Sequence, residues 1–300
     1  MFQRAEKKKS KLRLAVTGPS GSGKTYSALL LAFGLVGKEG NVCVIDTEHD
    51  SASLYSDKFP AYYTVSMTPP YSPMRYIQMI EAAESFGADI LIIDSLSHEW
   101  TGQGGCLEMV EKSNAKNSYT AWGQVTPLHQ RLIDKMLSSK THIIATMRSK
   151  QDYALVENKH GKLEPKKMGL APIQRDGMDY EFTTVFDLPG GGVFEATSSK
   201  DRTGLFIGTQ FPMNEQIAPS LKEWLEKGVE SLSIKALPLG KEEKALEQLK
   251  KAVDRLAETA TPKEAKTIYH TARSYLVNYP ELVNSIHQAF EVKIGDMENA

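Results

Sequence analysis

The sequence predicts an α/β fold: a mostly parallel sheet flanked by helices, an antiparallel meander at one edge, and a small helical module behind it. Three observations predict it. The eight residues Gly18-Pro19-Ser20-Gly21-Ser22-Gly23-Lys24-Thr25 fit G-x-x-x-x-G-K-[ST] at every fixed position, between a strand-like run, Leu12 to Val16, and a helical run, Tyr26 to Leu35. Short apolar runs at 12–17, 41–46, 89–94 and 141–147 are separated by stretches long enough for crossover helices. After Gly169 the runs crowd together at about 181–188, 193–198 and 204–208, with Pro189-Gly190-Gly191-Gly192 as a hairpin turn.

In chain order, a basic arm over 1–11 carries Lys7, Lys8, Lys9 and Lys11 ahead of a core at 12–228. That core closes with a helix from Pro212 to Lys227, which gathers Leu221, Trp224 and Leu225 on one face. A linker at 229–240 holds Pro238 and Gly240, and leads to a helical module at 241–300. There Ala245, Leu246, Leu249, Val253 and Leu256 recur at heptad-like spacing. The net charge of −1 excludes a polycation, so any nucleic-acid contact is confined to a patch. Cys43 and Cys106 cannot make a disulfide framework, and Cys43, inside Val42 to Ile45, is expected as a buried thiol. No run approaches the ~20 apolar residues of a membrane span. The charged N-terminal stretch lacks the apolar segment of a leader. The expectation is a soluble, cytoplasmic protein with no membrane partner.

The glycine-rich loop is suited to phosphate. Glycines let successive backbone N–H groups face one anion, and the helix that follows adds its positive end. Gly18, Ser20, Gly21, Ser22, Gly23, Lys24, Thr25 and Tyr26 are the candidate residues for binding ATP, with Lys24 reaching the β- and γ-phosphates. Asp89-Ile90-Leu91-Ile92-Ile93-Asp94 is an apolar strand ending in a carboxylate, and Asp94 with the Thr25 hydroxyl would hold Mg²⁺. Val44-Ile45-Asp46-Thr47-Glu48-His49 places Glu48 just past the second strand, where a carboxylate can orient and deprotonate an attacking water. His98-Glu99 supplies a second acid near the site, so the catalytic base is Glu48 or Glu99. The expected reaction is hydrolysis of ATP to ADP and phosphate.

Ile45-Asp46-Thr47-Glu48-His49 closely resembles the segment that carries the catalytic glutamate of RecA-type recombinases. Thr197-Ser198-Ser199-Lys200-Asp201-Arg202-Thr203-Gly204 resembles the RecA segment with two cations separated by one residue. The resemblance implies that Lys200 and Arg202 act in trans on a neighbouring subunit's nucleotide. The wording of Gly18 to Leu29, Asp94-Ser95-Leu96-Ser97-His98-Glu99-Trp100 and Lys200 to Gly204 is similar to phage-encoded RecA-like ATPases of the Sak-type single-strand-annealing group. The likeness spans roughly 1–228. It implies a RecA-like core, a DNA-stimulated ATPase acting on single-stranded DNA, and annealing or strand exchange in phage-type recombination. It further implies a homo-oligomer, ring or filament, in a bacterial host cytoplasm. RecA has a glutamine at the end of its fourth core strand, where this chain has Thr146-Met147-Arg148.

Arg148 to Lys167 lacks apolar periodicity and contains Gly161 and Pro165, which predicts a mobile loop. Loops after the fourth core strand hold single strands in RecA relatives. Arg148, Lys150, Lys159, Lys162, Lys166 and Lys167 would then neutralise phosphates while Tyr153 stacks on a base. Thr101 to Gly105 is the candidate for a smaller companion loop. Phe2-Gln3-Arg4-Ala5 resembles the F-x-x-A polymerisation motif of eukaryotic and archaeal RecA relatives, which implies that Phe2 and Ala5 enter pockets on the next protomer. The lysines that follow fit a solvated tether or a DNA contact. The helical module is a candidate dock for a single-strand-binding protein. Two other readings use the same residues: a nucleotide-gated annealing mediator with little turnover, and a hexameric helicase or packaging motor. A small-molecule phosphotransferase would need arginines clustered over an acceptor, whereas the basic segment here is lysine-rich and follows the fourth strand.

Overall fold

The computed structural model describes residues 5–157, 163–192, 195–229, 239–259, 261–276 and 280–298. The chain divides into two compact units, Met1–Ser231 and Leu232–Ala300. In the first, β1 (Arg13–Gly18), α1 (Lys24–Val36), β2 (Val42–Asp46), β3 (Tyr63–Ser66), α2 (Pro73–Phe86) and β4 (Ile90–Asp94) come first. The short helices α3 (Ser97–Thr101) and α4 (Cys106–Glu111) and the long α5 (Ser118–Ser138) follow. Then come β5 (His142–Glu157), β6 (Leu163–Pro172), β7 (Thr184–Asp187), β8 (Glu195–Asp201), β9 (Phe211–Pro212) and α6 (Ile217–Glu226).

The strands form one sheet in the order β3-β2-β4-β5-β1-β7-β8-β9, with β6 paired to β5 off that path. From β3 to β7 every pairing is parallel. Strands β1, β2 and β4 are buried along their whole length, as expected of parallel strands covered on both faces. Their side chains alternate between two cores. Leu14, Val16, Val44, Ile92 and Ile144 pack with Leu29 and Leu31 of α1 and Leu221 and Leu225 of α6. Ala15, Ile45, Ile93 and Ala145 pack with Tyr76 and Ile80 of α2 and Leu132 and Met136 of α5. Each fully buried leucine or isoleucine contributes about 2 kcal/mol. This is the α/β phosphate-loop NTPase architecture that the spacing predicts, with the carboxyl ends of β1, β2 and β4 turned to one edge.

The predicted meander is partly redrawn. β7 joins the parallel set beside β1, so antiparallel pairing starts only at β8. Residues 204–208 are not a strand, and the partner of β8 is β9. The reason is Asp201, whose carboxylate accepts from the backbone N–H of Thr203 and Phe206, both at 2.8 Å, and curls the chain before it can extend. Phe206 then turns inward against Phe186 and Phe211. Gly190, Gly191 and Gly192, at φ +81°, +72° and +79°, allow the turn after β7.

The larger correction concerns 148–167. In place of a loop, β5 runs on past the sheet and pairs antiparallel with β6, from Ser149↔Pro172 to Glu157↔Leu163, with a register shift between Asp152 and Tyr153. The ribbon begins where β5 leaves the parallel sheet, after Arg148, the last residue it pairs with β1.

Among the described residues the second unit has three helices, α7 (Leu239–Glu258), α8 (Pro262–Tyr275) and α9 (Pro280–Glu298), around Leu256, Tyr269, Leu276 and Ile286. Thr261 caps α8 through the Glu264 N–H, and Thr261 Oγ1 donates to the Glu264 carboxylate. Among the described residues no helix is long and apolar enough to cross a membrane.

Candidate functional site

β1 delivers Gly18 to the sheet edge and α1 starts at Lys24. Between them Gly21 and Gly23 sit at φ +75° and +87°, backbone that a side chain would strain. Gly18 is needed for space instead, since a Cβ there would stand 2.4 Å from Ser22 Oγ and 2.8 Å from the Leu188 carbonyl oxygen. Lys24 Nζ donates to the Pro19 carbonyl oxygen at 2.8 Å, folding the side chain back across the loop. Burial pulls the Lys24 pKa down, against the attraction of Asp94 and Glu48. Ser22 Oγ is buried with no hydrogen-bond partner. A hydroxyl left so costs about 1–3 kcal/mol, so a loop that keeps one is fitted to an outside acceptor. With the positive end of the 13-residue α1 behind it, the residues present fit a triphosphate. Ser20 and Gly21 are exposed at the tip. The ring of Tyr26 lies against Phe59 at 5.1 Å and Tyr55 at 5.9 Å, an aromatic wall beside the loop.

Thr25 and Asp94 are brought together across α1 and β4. Thr25 Oγ1 donates to Asp94 Oδ2 at 2.6 Å, and Thr146 Oγ1 of β5 donates to Asp94 Oδ1 at 2.5 Å. Burial pushes the Asp94 carboxyl up, although both hydroxyls favour its ionised form. A buried carboxylate and a threonine hydroxyl beside a phosphate loop form an all-oxygen donor set that suits Mg²⁺.

Glu48 is positioned by its neighbours rather than by its own strand. Asp46, wholly buried at the end of β2, accepts from the N–H of Glu48 at 2.6 Å and of Ala52 at 2.8 Å, so it shapes the turn that carries Glu48. The Glu48 carboxylate accepts from Ser95 Oγ at 3.0 Å and from Arg148 Nε at 2.8 Å, and its second oxygen is paired with Arg148 Nη2. Burial alone would raise the Glu48 pKa, but the hydrogen bonds and charge of Arg148, with Ser95, hold it below the usual carboxylate range. Arg148 faces Gly18 across the β1–β5 register, which sets this fork beside the phosphate loop. Sequence reasoning placed Arg148 among the DNA contacts, whereas here its side chain is engaged with the candidate base. The roles of Asp46 and Ser95 gave no signal in the sequence beyond their place at strand ends.

Glu99 goes elsewhere. It is fully buried and accepts from His129 Nδ1 at 2.9 Å, Cys106 Sγ at 3.0 Å and Gln174 Nε2 at 3.1 Å. Its oxygens serve a buried network between α3, α4, α5 and the base of the hairpin. His98 shares a 2.6 Å hydrogen bond with Thr47 Oγ1 and stacks on Tyr71 at 5.0 Å. Both cysteines are free and buried.

The remaining candidates are scattered over the unit. Lys150 and Tyr153 lie on β5, and Lys166 and Lys167 on β6, with Tyr153 opposite Lys167 in the register. Lys159 and Lys162 lie outside the described residues. Lys200 on β8 donates to the Asp179 carbonyl oxygen at 3.1 Å and to that of Tyr180, and Arg202 reaches the same Tyr180 oxygen at 3.3 Å. Burial pulls the Lys200 pKa down, with the Arg202 charge adding to it. Phe2 is outside the described residues, and Ala5 is exposed. The arm after it is pinned to the unit's own surface: Lys7 Nζ donates to the Trp224 carbonyl oxygen at 2.7 Å and Lys8 bridges to Val229. Lys7 is therefore not a free tether.

A parallel α/β sheet with this loop, an acid at the end of β4 and a threonine to share its ion defines a phosphate-loop NTPase. Residues 10–210 match the family model described as an AAA domain, and the chain belongs to that family. It is accordingly a nucleotide-binding domain of the ATPase type. No curated protein matches the chain.

Proposed function

We propose that this protein is a RecA-like, DNA-stimulated ATPase that assembles on single-stranded DNA and promotes annealing or strand exchange in phage-type recombination, in a bacterial cytoplasm. The observation that carries this reading is the continuity of β5. The same strand lines the phosphate loop, is buried as far as Met147, pairs Arg148 with Gly18, and runs on as one leg of a lysine-bearing ribbon. Such a ribbon suits a polyanion with unpaired bases.

In this reading Ser22, Lys24 and the loop N–H groups hold the triphosphate, and Thr25 and Asp94 hold Mg²⁺. When bound there, the ion would supply positive charge to the triphosphate. Glu48 takes a proton from the attacking water, and Lys200 and Arg202 of a neighbouring copy in a ring or filament stabilise charge on the phosphoryl group. The nearest second reading, an annealing mediator with little turnover, gains support from the ion pair that occupies Glu48 at rest. The three-helix unit is the proposed dock for a single-strand-binding protein.

The test is ATP hydrolysis with and without single-stranded DNA for wild type and Glu48→Gln. The expected result is stimulation by DNA and a loss of at least about a hundredfold in Glu48→Gln, the share of a general base. Unchanged turnover in Glu48→Gln would remove the assigned base. No response to DNA would remove the assigned client.

A further inference from the structure

We propose that Glu99, Cys106 and His129 form a buried zinc site that clasps α3, α4 and α5 together, directly after β4 in the chain. Such a site is independent of the base and of the client assigned above.

All three side chains are buried, Glu99 and Cys106 at 0% exposure and His129 at 2%. One ligand atom from each lies within 4.8 Å of the other two. Glu99 Oε1 is the shared point, 2.9 Å from His129 Nδ1 and 3.0 Å from Cys106 Sγ. A single ion making bonds of about 2.0–2.3 Å spans such a group. Oxygen, nitrogen and sulfur donors together suit Zn²⁺, whereas Mg²⁺ and Ca²⁺ take oxygen. Charge favours the same ion. Among the described residues the hydrogen-bond partners of Glu99 are His129, Cys106 and Gln174, so a carboxylate with no exposure has no lysine or arginine bonded to it. A buried charge without a counter-charge is costly. Zn²⁺ cancels that carboxylate and the thiolate formed when Cys106 gives its proton to solvent.

The local sequence brings the three residues together. Gly105 returns the chain onto α3: a Cβ there would stand 2.6 Å from the Glu99 carbonyl oxygen and 2.8 Å from that of His98. Cys106 follows at once, at the start of α4. Gln174 Nε2 holds the other carboxylate oxygen, Glu99 Oε2, at 3.1 Å, which leaves Oε1 for the ion. Coordination through Nδ1 puts the imidazole proton on His129 Nε2, which is buried without a hydrogen-bond partner. His129 also lines a cavity of about 160 Å³ with Gln130, Asp176 and Glu181, which has the room and polarity for the water that such a proton takes. Helices as short as α3 and α4, of five and six residues, do not hold themselves together. Metal bonds tying them to the 21-residue α5 supply that hold.

The test uses the full chain, with Zn²⁺ and Co²⁺ as probes. Wild type grown with zinc and then desalted should carry about one zinc per chain by elemental mass spectrometry. After chelation, titration with Co²⁺ should produce the intense near-ultraviolet band of a cobalt–thiolate bond. Cys106→Ser keeps a hydroxyl that can donate to Glu99 but has no thiolate, so it preserves a hydrogen-bonded network. It should nevertheless lose the band and at least about nine-tenths of the zinc. Cys43→Ser, which removes the other cysteine of the chain, should keep both. A folded wild type without the band would overturn the site, and hydrogen bonds alone would then hold the cluster. A band or zinc content in Cys106→Ser equal to wild type would place the metal on other groups and overturn it too. Where Cys106→Ser fails to fold, Cys43→Ser decides: a retained band assigns the thiolate to Cys106, and a lost one overturns the site.

Discussion

Two acids sit near the phosphate loop in the sequence, and their partners separate them. Glu48 stands in a half-buried turn built by Asp46, while Glu99 is spent inside a network with His129, Cys106 and Gln174. Motif reading put Glu48, Lys24, Thr25 and Asp94 at one end of the sheet because strand ends and loop spacing are written in local residue order. It could not see Arg148 turning onto Glu48, a contact across 100 positions that depends on two side-chain conformations. A further residue-scale consequence concerns His142, which accepts from the Leu12 N–H through Nδ1 at 3.0 Å. Burial, with Lys11 and Arg13 nearby, pulls its pKa down from 6.5 to about 4. The unfolded chain therefore takes up this proton first as pH falls. The contribution is intact above about pH 6.5 and is lost progressively down to about pH 4. Chemical denaturation at pH 7.5 and 5, in wild type and His142→Asn, should show a wild-type drop on the order of 1 kcal/mol that the variant lacks.

Among the elements, the buried strands were the legible part. Continuous runs such as Ile90 to Ile93 are hydrophobic on both faces because helices cover both faces. The hairpin was not legible. Its residues alternate in no apolar pattern and so read as loop, although the backbone pairs in an antiparallel ladder with one register shift. If the ribbon contacts phosphates, replacing Lys150, Lys166 and Lys167 together by alanine should weaken binding without altering nucleotide affinity. The slope of log K against log salt should also become shallower by about 2, given a change of ~0.7 per phosphate on a single strand. An unchanged slope in anisotropy titrations would place the DNA elsewhere on the protein.

On the scale of the whole molecule, each unit closes its own core. The first has two apolar clusters around the sheet, and the second has Leu256, Tyr269 and Ile286 among its helices. Truncation after Ser231 should therefore leave a folded protein that binds a fluorescent ATP analogue within about twofold of the full chain, a small effect beside the 1–3 kcal/mol typical of real coupling. Circular dichroism and the analogue titration check this together, and a core that fails to melt cooperatively would refute it. The parallel order of the sheet has one more consequence, in the time the chain takes to be made. β1 is synthesised before the other described strands, but its neighbours in the sheet are Ile143 to Arg148 on one side and Thr184 to Asp187 on the other. The Leu188 carbonyl that crowds Gly18 comes later still. Contacts this distant in sequence form slowly. On a ribosome, the phosphate-binding end written early is thus among the last parts of its unit to be completed, and a nascent chain that has not reached Leu188 has the motif without the site.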